Sequence, residues 1–261
     1  MRSLNIAATG MLAQQLNVEV ISNNIANMNT TGFKRQRAEF QDLLYQDMRR
    51  VGSASSDTGT IVPAGVQIGV GVKTAAVYRI TEQGNLVSTE NTYDLAIQGK
   101  GFFKVTLPNG DTSYTRAGSL SLSPDGQIVT ADGYTVAPGI TIPPDAISVS
   151  INANGEVLAK VQGQVTPQNV GQFTLANFAN EAGLEPVGDN LFLETPASGA
   201  ATEGTPGAIG YGTILQGFLE TSNVNVVQEV TNLITAQRAY EMNSKVIEAS
   251  DEMMRSLTQL R

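Results

Sequence analysis

Glycine and proline are confined to the middle of this chain. All ten prolines lie between Pro63 and Pro206, and 25 of the 26 glycines lie between Gly32 and Gly217. Residues 11–31 and 218–261 contain neither. An uninterrupted helix needs such a breaker-free stretch, whereas an interior punctuated every few residues reads as strands joined by turns. The distribution predicts a mainly β, antiparallel domain with a long helix at each end. The expected divisions are an N-terminal helix at 1–31, a connecting segment at 32–71, a β domain at 72–218 and a C-terminal helix at 219–261.

Apolar spacing supports the helical ends. Leu4, Ala7, Met11, Gln14, Val18, Ile21, Ile25 and Met28 follow a three-four spacing broken only by Gln14, which is the period of a helix with one apolar stripe. Gly32 just beyond it is a helix stop. At the other end, Asn225 and Gln228 stand at capping-box spacing. Val226, Val230, Leu233, Tyr240, Ile247 and Met254 then keep the helical spacing, and Val246, Met253, Leu257 and Leu260 form a second stripe. At about 1.5 Å per residue the two helices would run roughly 40 and 50 Å. They are either amphipathic helices folded onto the β domain or a projecting pair whose remaining apolar stripes are buried against other copies.

Hairpin signals recur between the ends. Asn109-Gly110 separates strand candidates at 102–106 and 112–116, Pro124-Asp125-Gly126 separates 119–122 from 127–130, and Asn154-Gly155 separates 148–151 from 156–158. Further strands are expected at 134–136, 172–176 and 190–194. No helix-length pattern falls among them.

Composition removes most chemistry. The 261 residues include no Cys, no His and no Trp. Disulfides, thiolate and imidazole catalysis and the usual zinc or haem ligands are therefore absent together. A hydrophobic content of 41% is enough for a core. The formal net charge of −8, with scattered cations, offers no basic face to nucleic acid. Thr9, Gln14, Gln15 and Asn17 interrupt the first apolar run before a secretory signal can form, so the N-terminus is expected to be retained. Asn152-Ala153-Asn154-Gly155 lacks the charged first ligand and distal Glu of a calcium loop. Gly69-Val70-Gly71 lacks the third glycine and acidic partner of a dinucleotide site. Neither a cofactor nor a metal site is expected. Asp125, Asp132, Glu181 and Glu194 leave a carboxylate-dependent glycan hydrolase as the rival enzyme reading, although all four fall where solvated carboxylates are expected. Lys34-Arg35 and Arg37 could complement the first helix's C-terminal dipole, bind acids of a neighbouring subunit, or simply be solvated.

Two signatures then stand out. Asn23-Asn24-Ile25-Ala26-Asn27-Met28-Asn29-Thr30-Thr31-Gly32-Phe33-Lys34-Arg35 resembles the N-terminal signature of the flagellar rod and hook proteins. Glu220-Thr221-Ser222-Asn223-Val224-Asn225, with Gln237-Arg238-Ala239-Tyr240-Glu241-Met242-Asn243-Ser244-Lys245, resembles their C-terminal one. Gln98–Phe103 and Tyr114–Gly118 resemble the start of the shared β domain. Within the signatures, Asn27, Gly32, Phe33, Lys34, Asn223, Gln237, Arg238 and Tyr240 are the marker residues. Chain length and the segment Phe40–Gln46 point to the distal rod branch rather than a proximal rod or hook subunit.

The resemblance implies a non-enzymatic structural subunit of the basal body, spanning periplasm to outer membrane and exported by the flagellar type III apparatus without signal cleavage. Such a subunit polymerises into a rigid hollow helical drive shaft. Its terminal helices pair in coiled-coil fashion along the inner wall, and its partners are further copies, other rod proteins, the hook protein and the P- and L-ring proteins. On that reading Leu4, Met11, Val18, Ile21, Ile25 and Met28 face Val226, Val230, Leu233, Tyr240, Ile247, Met254 and Leu257 or their counterparts in other copies. Residues 46–72, polar and rich in Gly and Ser, are by themselves either a mobile loop or an insertion that orders against neighbouring subunits and stiffens the tube through Arg49, Arg50, Gly52, Ser53, Asp57, Gly59 and Pro63.

Overall fold

The structure is a computed structural model that describes residues 2–49, 64–164 and 166–259. It is mostly β and antiparallel, with α1 at Arg2–Ala26 and α2 at Val226–Gln259; these are the two α-helices among the described residues. The chain separates into two compact units. One comprises residues 1–25, 36–78 and 226–261; the other comprises 26–35 and 79–225. They are called below the helix unit and the β unit.

In the β unit, the strand Phe102–Thr106 is the hub of a nine-stranded sheet. It pairs with Thr112–Thr115 on one edge, and on the other with Thr135–Val136 and Leu175–Asn177 in turn. The pleat sends neighbouring side chains to opposite faces. Phe103 and Val105 therefore enter the main core with Leu95, Ile97, Phe173, Leu175 and Ile214. Phe102 enters a smaller cluster with Tyr114, Phe178 and Leu184, where the Tyr114 and Phe178 rings meet edge to face at 4.8 Å. A three-stranded sheet is built from Ala146–Ile151, Glu156–Val161 and Gln168–Gln172. Two further pairs, Leu95–Gln98 with Thr213–Gln216 and Leu86–Ser88 with Phe218–Glu220, bring the C-terminal end of the domain back beside its beginning.

The hairpins expected at 102–106/112–116, 119–122/127–130 and 148–151/156–158 are present, each a residue or more different in length. The segment expected as one strand at 172–176 is two, Gln168–Gln172 and Leu175–Asn177, which join different sheets. Glu181–Gly183 adds one 3-10 turn.

In the helix unit, residues 32–71, read from sequence as a connecting segment, contain strands at Gln36–Asp42, Tyr45–Arg49 and Val66–Gly69. Gln36–Asp42 pairs with Val72–Arg79, and Tyr45–Arg49 with Val66–Gly69. Of the insertion residues, Arg49 ends a strand with an exposed side chain. Arg50, Gly52, Ser53, Asp57, Gly59 and Pro63 lie outside the described residues. Helix α2 starts one residue after Asn225, where the capping-box spacing placed it. Helix α1 ends at Ala26, so Met28 falls in the turn that follows. Among the described residues no helix is long and apolar enough to cross a membrane.

Candidate functional site

Two constellations gather the residues that the sequence singled out, one in each unit. In the helix unit, α1 and α2 run antiparallel. Ser250 Oγ donates to Ser3 Oγ at 3.3 Å, and Asn24 Nδ2 to Glu229 Oε2 at 3.2 Å. Midway, a Cβ placed on Gly10 would come within 2.9 Å of Asn243 Nδ2. The three contacts step by 14 and then 7 residues down each helix in opposite directions, so one constant register joins them. Ala236 falls at the same seven-residue spacing between Glu229 and Asn243 and is buried, as are Ala7, Ala13, Val20 and Ile21. The contact line is thus made largely of small and polar side chains, which lets the helix backbones come close.

Asn24 is its anchor. Fully buried, it exchanges two 2.8 Å bonds with the backbone N–H and C=O of Gln36 while also reaching Glu229. A buried carboxylate in the first turn of α2 also sits at the positive end of that helix.

Beside this seam lie the apolar residues expected to pair. Ile21 is buried, while Leu4, Met11, Val18, Ile25, Leu233, Ile247 and Met254 are half-buried. Val226, Val230 and Tyr240 are exposed, as is Met28 beyond the helix. Leu257 lies in α2 with its side chain outside the described residues. Leu12 at 66%, Val227 at 77% and Met242 at 67% accessible show how much large apolar surface the helices leave uncovered.

The second constellation, in the β unit, centres on Glu220, whose side chain is 1% accessible. Its carboxylate accepts from Lys34 Nζ at 2.6 Å, Arg116 Nε at 2.7 Å and Gly84 N–H at 2.9 Å. Lys34 also donates to Glu82 O at 2.8 Å. Arg116 uses its remaining donors on the carbonyls of Gly101, Gly99 and Ile97. Every charge in the triad is thereby bonded, without which so much buried charge would be prohibitive.

Burial drives the Glu220 carboxyl up, but Arg116 and Lys34 together outweigh it and hold the group below the ordinary carboxylate value of 4.5. Burial also dominates at Lys34, and its ammonium is lowered from 10.5 although Glu220 opposes the shift.

Around the triad the chain ends are stitched together. Gly32 N–H donates to Glu220 O at 2.8 Å, Arg35 N–H to Asn223 Oδ1 at 2.7 Å, and Asn223 Nδ2 to the carbonyls of Ile80 and Glu82, each at 2.9 Å. Gly32 has φ +69°, and a Cβ there would meet the backbone of Arg116 and Ala117 at 2.9 Å. Both the turn and the close approach require glycine. Asn27 starts this turn, accepting from Thr30 Oγ1 at 3.1 Å. Phe33 is half-buried, and Gln237 and Arg238 are exposed on α2.

Lys34 therefore neither caps α1 nor waits for a neighbour's acid: it is buried on a carboxylate of its own chain, because 186 residues of intervening sequence fold to bring Glu220 beside it. Sequence reasoning singled out Lys34 and Asn223 but not Glu220 or Arg116, which lay inside quoted motifs. It also passed over Asn24, Glu229, Ser3 and Ser250. The recoverable signal there was the seven-residue spacing of Ser3, Gly10, Asn17 and Asn24, hidden because the eye follows apolar spacing.

Comparison with known proteins gives the family. Family profiles described as "Flagella basal body rod protein", "Flagellar hook protein FlgE/F/G D1 domain" and "Flagellar basal body rod FlgEFG protein C-terminal" match residues 4–34, 96–159 and 215–260. A flagellar basal-body rod protein FlgG of Caulobacter vibrioides is 63% identical over 261 residues, covering all of both chains. The chain belongs to the flagellar basal-body rod and hook family. The FlgG proteins of Agrobacterium fabrum and Bacillus subtilis are 56% and 40% identical; the first alignment covers 97% of each chain, the second all of this chain and 99% of the relative.

The chain is accordingly a structural subunit of the basal-body rod, most like the distal rod protein, and the relatives favour this over the hydrolase reading. Asp125, Asp132 and Glu194 are exposed, and Glu194 is bonded to the Ala201 N–H at 3.1 Å. As a member of this family it is a component of the flagellar basal body and assembles with other rod and hook components.

Proposed function

We propose that this subunit polymerises into a rigid hollow shaft that carries torque from the motor to the hook, with α1 and α2 lining its inner wall. The observation that carries the reading is the mismatch within the helix unit: its internal seam is small and polar, while Val226, Val227, Val230, Tyr240, Met242 and Leu12 are left to water. Large apolar side chains exposed in this number on two paired helices support an interaction surface. In further copies these residues, with Leu4, Met11, Val18, Ile25, Leu233, Ile247, Met254 and Leu257, find their partners through coiled-coil-like contacts. Heterologous contacts that do not close into a ring propagate a filament.

Membership of the family supports a finer placement, which we propose as well. The shaft crosses the periplasm to the outer membrane, meets the proximal rod below and the hook protein above, and turns within the P- and L-rings. The subunit reaches it through the flagellar type III apparatus with its N-terminus uncleaved.

Electron microscopy of the purified protein tests the assembly. We expect tubes at high concentration, and none from a chain carrying both Ile25→Asp and Ile247→Asp with the β unit's circular dichroism intact. Normal tubes from that variant would remove the helices from the interface. Arg49, Arg50, Gly52, Ser53, Asp57, Gly59 and Pro63 belong to a polar insertion that we read as bracing adjacent subunits. Deleting Gly52–Ile61 should give tubes that bend, and unchanged straightness would sink that role.

A further inference from the structure

We propose that the Glu220 triad is a clamp that primes the pairing of α1 with α2, so that folding of the β unit, more than attraction along the helix seam, brings the two ends of the chain together. The seam itself is weak glue. Two of its three defining contacts are single hydrogen bonds, and the third is the close approach of Gly10 to Asn243. Ser3 and Ser250 are 247 residues apart in sequence, so the loop that must close to join them is long.

The β unit removes most of that loop. Its own bonds hold residues 32–35 against 220–223: Gly32 N–H to Glu220 O, Asn223 N–H to Phe33 O at 3.4 Å, Arg35 N–H to Asn223 Oδ1, and Lys34 Nζ to Glu220 Oε1. Helix α1 ends at Ala26 and α2 begins at Val226, each within a few residues of this stitch. With the clamp closed, joining Ser3 to Ser250 closes a flexible path of only about 60 residues. Closure probability scales roughly as the inverse three-halves power of loop length, so folding of the β unit with the clamp closed raises the effective concentration of one end about the other about ninefold at that distance, and more nearer the clamp.

This design explains why a costly charge cluster holds together the two stretches of chain that lead into the helices. Glu220 belongs to the C-terminal arm, Lys34 to the N-terminal arm and Arg116 to the sheet. One carboxylate therefore binds both arms to the domain. Removing Lys34 leaves Glu220 and Arg116 as a neutral pair, so the N-terminal arm can be released without stranding a charge.

The chain lacks cysteine, which makes the test direct. In full-length protein carrying S3C and S250C, kept below the concentration at which tubes form, the effective molarity of disulfide formation is measured against a glutathione buffer. Adding K34M with N223A frees the N-terminal arm at most back to Arg79, where the β unit begins, a path of about 105 residues in place of about 60, and should lower it about twofold, while the near-ultraviolet circular dichroism of the β unit stays as in the parent. A value unchanged from the parent, with the β unit folded, overturns the proposal. So does loss of the β fold itself, because the arms would then be part of the domain's core rather than clamped to it. The experiment reads the monomer, and its outcome is independent of whether tubes form.

Discussion

The two units of this chain bury opposite kinds of residue. The β unit encloses Phe103, Phe173, Leu95, Ile97, Leu175 and Ile214 almost completely, the content of a core that satisfies itself. The helix unit buries Val20 and Ile21 but otherwise small or polar residues, Ala7, Ala13, Ala236, Ser250, Asn24 and Glu229, and exposes Leu12, Val227, Ile234, Met242, Val246 and Met253. Burying a large apolar side chain contributes about 1.5–3 kcal/mol, and an alanine contributes a fraction of that. The β unit therefore satisfies its large apolar side chains internally, whereas the helix unit leaves many of its own exposed. Under the proposed assembly this division lets one part fold alone while the other is completed by neighbouring copies.

The largest test of the contrast is at Glu220. Glu220→Gln leaves the buried Lys34 and Arg116 cations without their counter-charge and should cost about 3–5 kcal/mol of β-unit stability in urea unfolding followed by tyrosine signals. The same variant measured against pH sharpens it. The folded-state pKa of Glu220 lies below its ordinary value, so its stabilisation is full above about pH 4.5 and is lost as pH falls through the depressed value. The wild-type advantage over Glu220→Gln should shrink on acidification. Lys34, also lowered, acts on the other limb: the folded state binds fewer protons there than the unfolded one, so its burial penalty fades as pH rises toward 10.5. An advantage that stays constant from pH 7 to 3 would show that the carboxylate is not the group holding the cations.

Fold class was legible because its signals are local. Asn109-Gly110 and Asn154-Gly155 specify tight turns whatever surrounds them, and a stretch without Gly or Pro permits a long helix. Leu175–Asn177 was misread as part of a longer strand, since the residues around Gln172 and Phe173 do not show that one strand must end and another begin in a different sheet. The clamp was only half legible. Lys34 looked like surface charge because its partner is distant in sequence, and no local pattern marks a carboxylate as buried. The seam was illegible for a different reason. Spacing arguments weigh side chains by apolarity, but close packing of two helices selects for smallness, so Ser3, Gly10 and Asn24 lay one position before Leu4, Met11 and Ile25 and were overshadowed by them.

The smallest expected effect on the monomer makes the contrast most exposed to failure. Val227 and Met242 are 77% and 67% accessible, so Val227→Ser with Met242→Ser removes apolar surface that the isolated chain scarcely buries. Surface changes of this kind fall within about 0.5 kcal/mol, and both serines stay compatible with the helix at a few tenths each. Thermal melts of dilute protein should therefore barely move, while the concentration needed for tubes should rise at least tenfold, since each lost contact recurs in every subunit. If the melts instead dropped as they would for a core truncation, these side chains would already be covered in the monomer. The helix unit would then be a finished fold like the β unit, and assembly would have to be explained by some surface other than the helices.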